Sequence, residues 1–162
     1  MPVEPRVSLP VAVIMGRRMV AGQGWRVPSW RVVALVAGSG LPGKEAQGTP
    51  VRGDDDEEHF LWGGLRLDLY RDAAESYWVN LTGRQPSLFV LCSEDEQSRI
   101  IPTLVTADQN EACSGIEGDD RVFAAAIPPE VYQHLEAFVV EYNVPQEKRK
   151  RKRTDWSASE ES

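Results

Sequence analysis

Leu65, Leu67 and Leu69 alternate with Arg66, Asp68 and Tyr70. A repeat of two puts the leucines on one side of an extended chain and the polar residues on the other, which a helix cannot do. Such a segment lies in a sheet buried on one side, so it needs other strands beside it and apolar cover over it. Val7 to Val13 is β-branched and apolar, with Pro10 marking a strand start or an edge. Trp30 to Val36 reads as a second strand, preceded by a turn at Pro28-Ser29. Phe60, Leu61 and Trp62 run into Gly63-Gly64, a pair that suits a two-residue hairpin turn ahead of the leucine strand. Arg71 to Ser76 reads as a turn or one loose helical turn. Tyr77, Val79 and Leu81 then alternate with Trp78, Asn80 and Thr82 as a further strand. Beyond the turn at Gly83-Arg84-Gln85-Pro86, Leu88 to Cys92 is continuously apolar, as in a strand covered on both faces. Ile100 to Thr106 is the last strand, and Pro102 places it at an edge.

One segment has a different period. Pro128-Pro129-Glu130 has the proline and the acid of a helix start, and Val131, Leu135, Phe138, Val139 and Tyr142 follow as one apolar stripe. Strands followed by one amphipathic helix predict an α+β domain. Its mostly antiparallel sheet is curled, closed as a barrel or sandwiched, with the C-terminal helix over its open face or end. Residues 1–37 and 58–144 are expected to make this single β-rich domain. Residues 38–57 hold five glycines, two prolines and most of the run Asp54-Asp55-Asp56-Glu57-Glu58, and are expected to be a flexible acidic loop. Residues 145–162 are expected to be a disordered basic tail.

The tail carries Lys148, Arg149, Lys150, Arg151, Lys152 and Arg153 in succession. Residues 1–146 hold 21 acidic against 12 basic side chains, whereas residues 147–162 hold 4 against 6. A body that repels polyanions thus ends in an arm that attracts them. Six cations gripping phosphates would give a log–log salt slope of about −5, and Trp156 could add base stacking. The arm could instead hold an acidic partner protein, or the chain's own Asp54 to Glu58 segment. A protein partner or self-contact is the preferred reading, with nucleic acid second.

Catalytic and cofactor motifs are weak. Gly38-Ser39-Gly40-Leu41-Pro42-Gly43 has the spacing of a dinucleotide fingerprint, but Pro42, Gly43, Gly48 and Pro50 forbid the helix that would hold a pyrophosphate. His59 follows the acidic run, yet metal ligands must converge from a folded cage, not merely adjoin in sequence. His134 falls at the margin of the helical stripe. Cys92 and Cys113 lack metal or redox spacing and are expected to be reduced, with Cys92 packing as a small hydrophobe. No Cys-x-x-Cys pair or nucleophile elbow is present. Arg71, Asp72, Glu75 and Asn80 form the one candidate surface cluster for a small enzyme of unknown reaction. The expectation is a non-enzyme without cofactor or metal. No apolar run reaches the ~20 residues of a membrane span, and Val11 to Met15 is too short for a signal-peptide core. A cytoplasmic protein is therefore expected.

Several stretches, in this order and spacing, resemble an uncharacterised bacterial family, domain of unknown function 3305. They include Val11 to Met15 with Arg17-Arg18, Gly64-Leu65-Arg66-Leu67 through Arg71-Asp72-Ala73, and Asn80-Leu81-Thr82. Pro86 to Val90, Asn110-Glu111-Ala112 and Pro128-Pro129-Glu130 with the basic tail complete the likeness. The resemblance implies a bacterial, cytoplasmic accessory protein, often encoded near molybdenum- or tungsten-dependent formate dehydrogenases. It implies a formate dehydrogenase subunit or maturation factor as partner, and it transfers no catalytic residue. The stretch 38–57 departs from the family pattern.

Overall fold

A computed structural model describes residues 4–54 and 56–143. The basic run Lys148 to Arg153 lies outside the described residues. Seven strands and three helices follow one another as β1 Val7–Ala21, β2 Arg26–Ala37, β3 Gln47–Val51, β4 Glu57–Leu69, α1 Ala74–Leu81, β5 Ser87–Glu94, β6 Ile100–Thr106, α2 Gln109–Glu117, β7 Arg121–Ala126 and α3 Pro129–Tyr142. A single 3-10 turn, Arg71–Ala73, joins β4 to α1. The sheet order is β2-β1-β4-β6-β5-β7, with β3 on the same side of β4 as β6. All pairings are antiparallel except β4 with β6. The end strands β2 and β7 approach one another, so the sheet is a nearly closed barrel.

The α+β architecture with a C-terminal helix matches the expectation, and four local readings change. Gly63-Gly64 is not a hairpin turn, because β4 runs through it for 13 residues. Gly63 donates to the Ala46 carbonyl (2.8 Å), Gly64 has a φ of +75° and faces Pro42, and a side chain on Gly63 would collide with the carbonyls of Pro42 and Gly43. The pair therefore serves a close backbone approach inside a strand. The β1 register slips opposite it, between Val11 and Val13, a bulge that bends the sheet. The segment 38–57 is not wholly loop: Gln47–Val51 pairs with β4, and Ala46 is buried. Tyr77–Leu81 belongs to a helix, because the buried set Ala74, Tyr77, Asn80 and Leu81 has helical spacing while Trp78 and Val79 are exposed. The turn expected at Pro28-Ser29 falls at Gly22–Trp25, where Gly22 donates to the Trp25 carbonyl.

Pro102 also sits otherwise than expected. β6 is an interior strand between β4 and β5. Pro102 lies beside a register slip at Leu91/Cys92, where its missing N–H does least harm. Besides β3, two elements lie where the sequence predicts none, α2 and β7.

The helices close one end of the barrel. The Tyr77 and Phe138 rings meet edge to face (5.8 Å between centroids), and the Tyr77 hydroxyl accepts from the Tyr70 N–H just past the end of β4. Asn80 donates to the carbonyls of Ser87 (2.7 Å) and Ala107 (3.0 Å) and accepts from the Ser87 N–H (3.1 Å). It thus ties α1 to the start of β5 and the end of β6. Val131, Leu135, Phe138 and Val139 of α3 join Leu67, Leu69 and Val105 in the same core. Cys92 is buried there, and burial pushes its thiol up to about 12.

Replacing Gly63 by Ala should cost about 3 kcal/mol in urea unfolding, the upper range for overpacking. Gly118→Ala, where a Cβ meets only ordinary contacts, should change stability by less than about 1 kcal/mol.

Candidate functional site

The uncovered end of the barrel is where β4 and β6 begin. Strand register sorts its side chains into two rows. Arg17 of β1 stands opposite Trp30 of β2 and Glu58 of β4, and two residues earlier Met15 stands opposite Phe60. Because Met15 is fully buried, this row faces the barrel interior. Gly16 stands opposite Arg31 and His59, so these residues and Glu57 face outward.

On the interior row, Arg17 pairs with Glu58 and lies 5.8 Å from the Trp30 ring centroid and 5.7 Å from that of Phe60. The two rings are 6.0 Å apart and tilted by 37°. Trp62 lies against β3 at Gly48, where a Cβ would come within 2.9 Å of its ring. With Ile100 and Ile101 of β6 these aromatic groups wall a cavity of about 130 Å³, with Arg17 and Arg99 at its lip.

On the outward row, the Glu57 carboxylate accepts from Arg31 Nε (2.8 Å) and Nη2 (2.8 Å), and its Oε1 lies 2.9 Å from His59 Nε2. Glu57 is 4 % exposed. The Arg31 hydrogen bonds outweigh burial and, helped by His59, hold its carboxyl at about 2, well below the usual carboxylate value. Gly16 makes the arrangement possible: a Cβ there would lie 2.7 Å from Val33 Cγ2 and 2.8 Å from Glu57 Cδ. Among the described residues no group of three His, Cys, Asp or Glu side chains could hold a metal ion. His59 Nε2 hydrogen-bonds into the Arg31–Glu57 ion pair.

Beyond this end, β1 and β2 continue alone. Their ladder runs on to Ala21↔Arg26, whereas the ladder with β4 stops at Arg18↔Glu57. The result is a two-stranded ribbon carrying Trp25, 67 % exposed, and Met19, 40 % exposed. Arg18 and Arg26 are exposed beside them, and Arg26 donates to the Met19 carbonyl (3.2 Å). An open groove of about 500 Å³ separates the ribbon root from Asp54 and Asp56. Glu57 and Glu58 of the acidic run are already engaged by Arg31 and Arg17.

Sequence reasoning missed this region. A signal was present, because residues 5–44 contain five arginines and one lysine but no Asp or Glu, inside a chain of net charge −7. The cluster named from sequence is arranged differently. Arg71 and Asp72 are exposed on the 3-10 turn, and Glu75 lines a shallow pocket with Gln109 and Asn110. Asn80 is buried in the hydrogen bonds described above and belongs to the interior. His134 is exposed on α3.

A family model described as Protein of unknown function (DUF3305) matches residues 10–152. The chain belongs to this family. No curated protein and no solved structure matches it. The match spans every strand and helix of this DUF3305 chain from Pro10 onward, ribbon and barrel mouth included. Among the described residues of the DUF3305 chain, no helix is long and apolar enough to cross a membrane.

Because the Glu57 carboxyl is depressed in the folded protein, its contribution is complete above the unfolded value of about 4.5 and is lost as pH falls toward about 2. Thermal melts should show the native protein more stable than Glu57→Gln at pH 7, with the gap closing between those two values. Gly16→Ala, which displaces the same carboxylate, should be destabilised by about 1–3 kcal/mol and should flatten the same pH dependence.

Proposed function

We propose that this protein is a non-catalytic accessory module that binds a protein partner at the open end of its barrel, and that the partner is a formate dehydrogenase subunit or maturation factor. The observation that carries the binding role is the β1–β2 ribbon, which projects past the sheet with Trp25 and Met19 exposed between Arg18 and Arg26. Tryptophan, methionine and arginine are the residues enriched at interface cores, and Trp and Arg dominate measured hot spots. A two-stranded ribbon that holds an indole in water gains nothing in its own fold from doing so. Covering that indole favours association, since burying such a ring removes roughly 150–250 Å² from solvent. The formate dehydrogenase reading rests on the family's gene neighbourhood.

The arginines allow a second class of partner, nucleic acid, and one experiment separates the two. The tagged full-length protein is recovered from native cells as wild type, as Trp25→Ala/Arg26→Glu, and without residues 146–162. The expected result is a formate dehydrogenase subunit or maturation protein with the wild type and the tail deletion, and a loss of about 30-fold or more in affinity with the ribbon variant. Recovery of no such protein in any arm overturns the formate dehydrogenase reading. RNA or DNA that is released by salt and lost with the tail would instead support nucleic-acid binding.

A further inference from the structure

The cavity at the barrel mouth has a size and a lining that select one kind of guest. Sites for nucleotides and cofactors measure roughly 300–1,000 Å³, so about 130 Å³ is too small for either. An engineered apolar cavity of about 150 Å³ takes up benzene, and a single six-membered ring is therefore the right volume. The walls are chiefly apolar: Trp30, Phe60, Trp62, Ile100 and Ile101. Arg17 places a guanidinium over the Trp30 and Phe60 rings. A cation next to apolar walls is complemented by a neutral guest with a negative ring face, hence by an aromatic group before an aliphatic one. Glu58 holds that guanidinium in position, so little rotamer freedom is left to lose when a guest arrives.

The cavity shares Arg17 with the groove at the ribbon root. Arg17 and Trp30 form one rung of the β1–β2 ladder, and the last rung, Ala21↔Arg26, is four residues farther along. At 3.3 Å per residue that is about 13 Å, a distance that four residues of an extended partner segment would span. We propose, resting on the partner-binding reading above, that this cavity seats one phenylalanine- or tyrosine-sized side chain of the partner while the flanking residues of that segment lie along the ribbon. The occupant is a side chain of a polypeptide, and the chemistry that recognises it is a ring packed on Trp30, Phe60 and Trp62 beneath the Arg17 cation.

The test uses the full-length protein, with N-acetyl-phenylalaninamide and N-acetyl-leucinamide as probes. Indole N–H signals are followed by NMR in the wild type, in Trp25→Ala and in two cavity-filling variants, Ile101→Phe and Gln47→Trp. The phenylalanine probe should shift the Trp30 and Trp62 indole signals saturably and bind about threefold or more tighter than the leucine probe. Trp25→Ala should retain the shifts. Both filled variants should lose them, and Gln47→Trp, at an exposed position, serves if Ile101→Phe unfolds early. A linear, non-saturating response, equal affinity for the two probes, or shifts that survive in a folded filled variant would overturn the seat. Partner capture separates this from the wider reading. Capture lost by Trp25→Ala/Arg26→Glu but kept by Gln47→Trp leaves the ribbon interface standing and removes the cavity from it. Saturable probe binding together with full partner capture by the filled variant would mean that the cavity serves a free aromatic molecule, and would likewise overturn the seat.

Discussion

The close passage of backbone over Gly63 and Gly64 is the constraint on which the barrel depends. β4 is the one strand that touches β1, β3 and β6. Before the glycine pair its neighbour on one side is β3, and after it that neighbour is β6. The exchange needs room for the chain at Pro42 to Ala46 to pass directly over the strand, which any Cβ at Gly63 would block. The same point bends the sheet, through the slip between Val11 and Val13 on β1. Curling brings β2 and β7 toward each other, leaving one end for α1 and α3 and the other open.

The open end has a division of labour that follows from the pleat. Inward side chains make an apolar mouth with a cation at its lip, and outward side chains make the Arg31–Glu57–His59 cluster. Neighbouring residues of one strand, such as Glu57 and Glu58, therefore have different duties. Glu58 orients Arg17 at the mouth. Glu57, nearly excluded from solvent, fastens β4 to β2 across the intervening glycine of β1. Holding the root of the ribbon from outside leaves its tip free of other strands.

Much of the architecture was legible in sequence. The leucine alternation at 65–69 and the stripe from Val131 to Tyr142 each fit one period only, and each gave the right element. Tyr77 to Leu81 was ambiguous because three apolar residues at alternate positions fit a strand as well as a short helix; the arbiter was Asn80, whose carboxamide is consumed by Ser87 and Ala107. α2 has weak amphipathicity, with Ala112 as its only buried residue. Its one clear signal was Asp108, whose side chain caps the Asn110 N–H, followed three residues later by Glu111. β7 was hidden by its alanines, poor strand formers. The acid-free stretch marked one side of the mouth, but its assembly could not be read, since Arg17, Trp30, Phe60 and Ile101 come from four separate segments. The Gly-rich stretch misled because two of its glycines are packed, Gly48 against the Trp62 ring and Gly53 against the Glu57 carbonyl of β4, and do not confer freedom there.

The placement of the charges has a consequence for how the molecule meets others. Residues 5–44 supply cations alone, and the ribbon lies within them, while the acidic residues belong to the rest of the chain. Arg18 and Arg26 stand exposed on that ribbon, so it is a local positive spur on a net-negative chain. A spur of this kind attracts an acidic surface, speeds encounter with it, and loses that advantage as ionic strength rises, whatever the final contacts are.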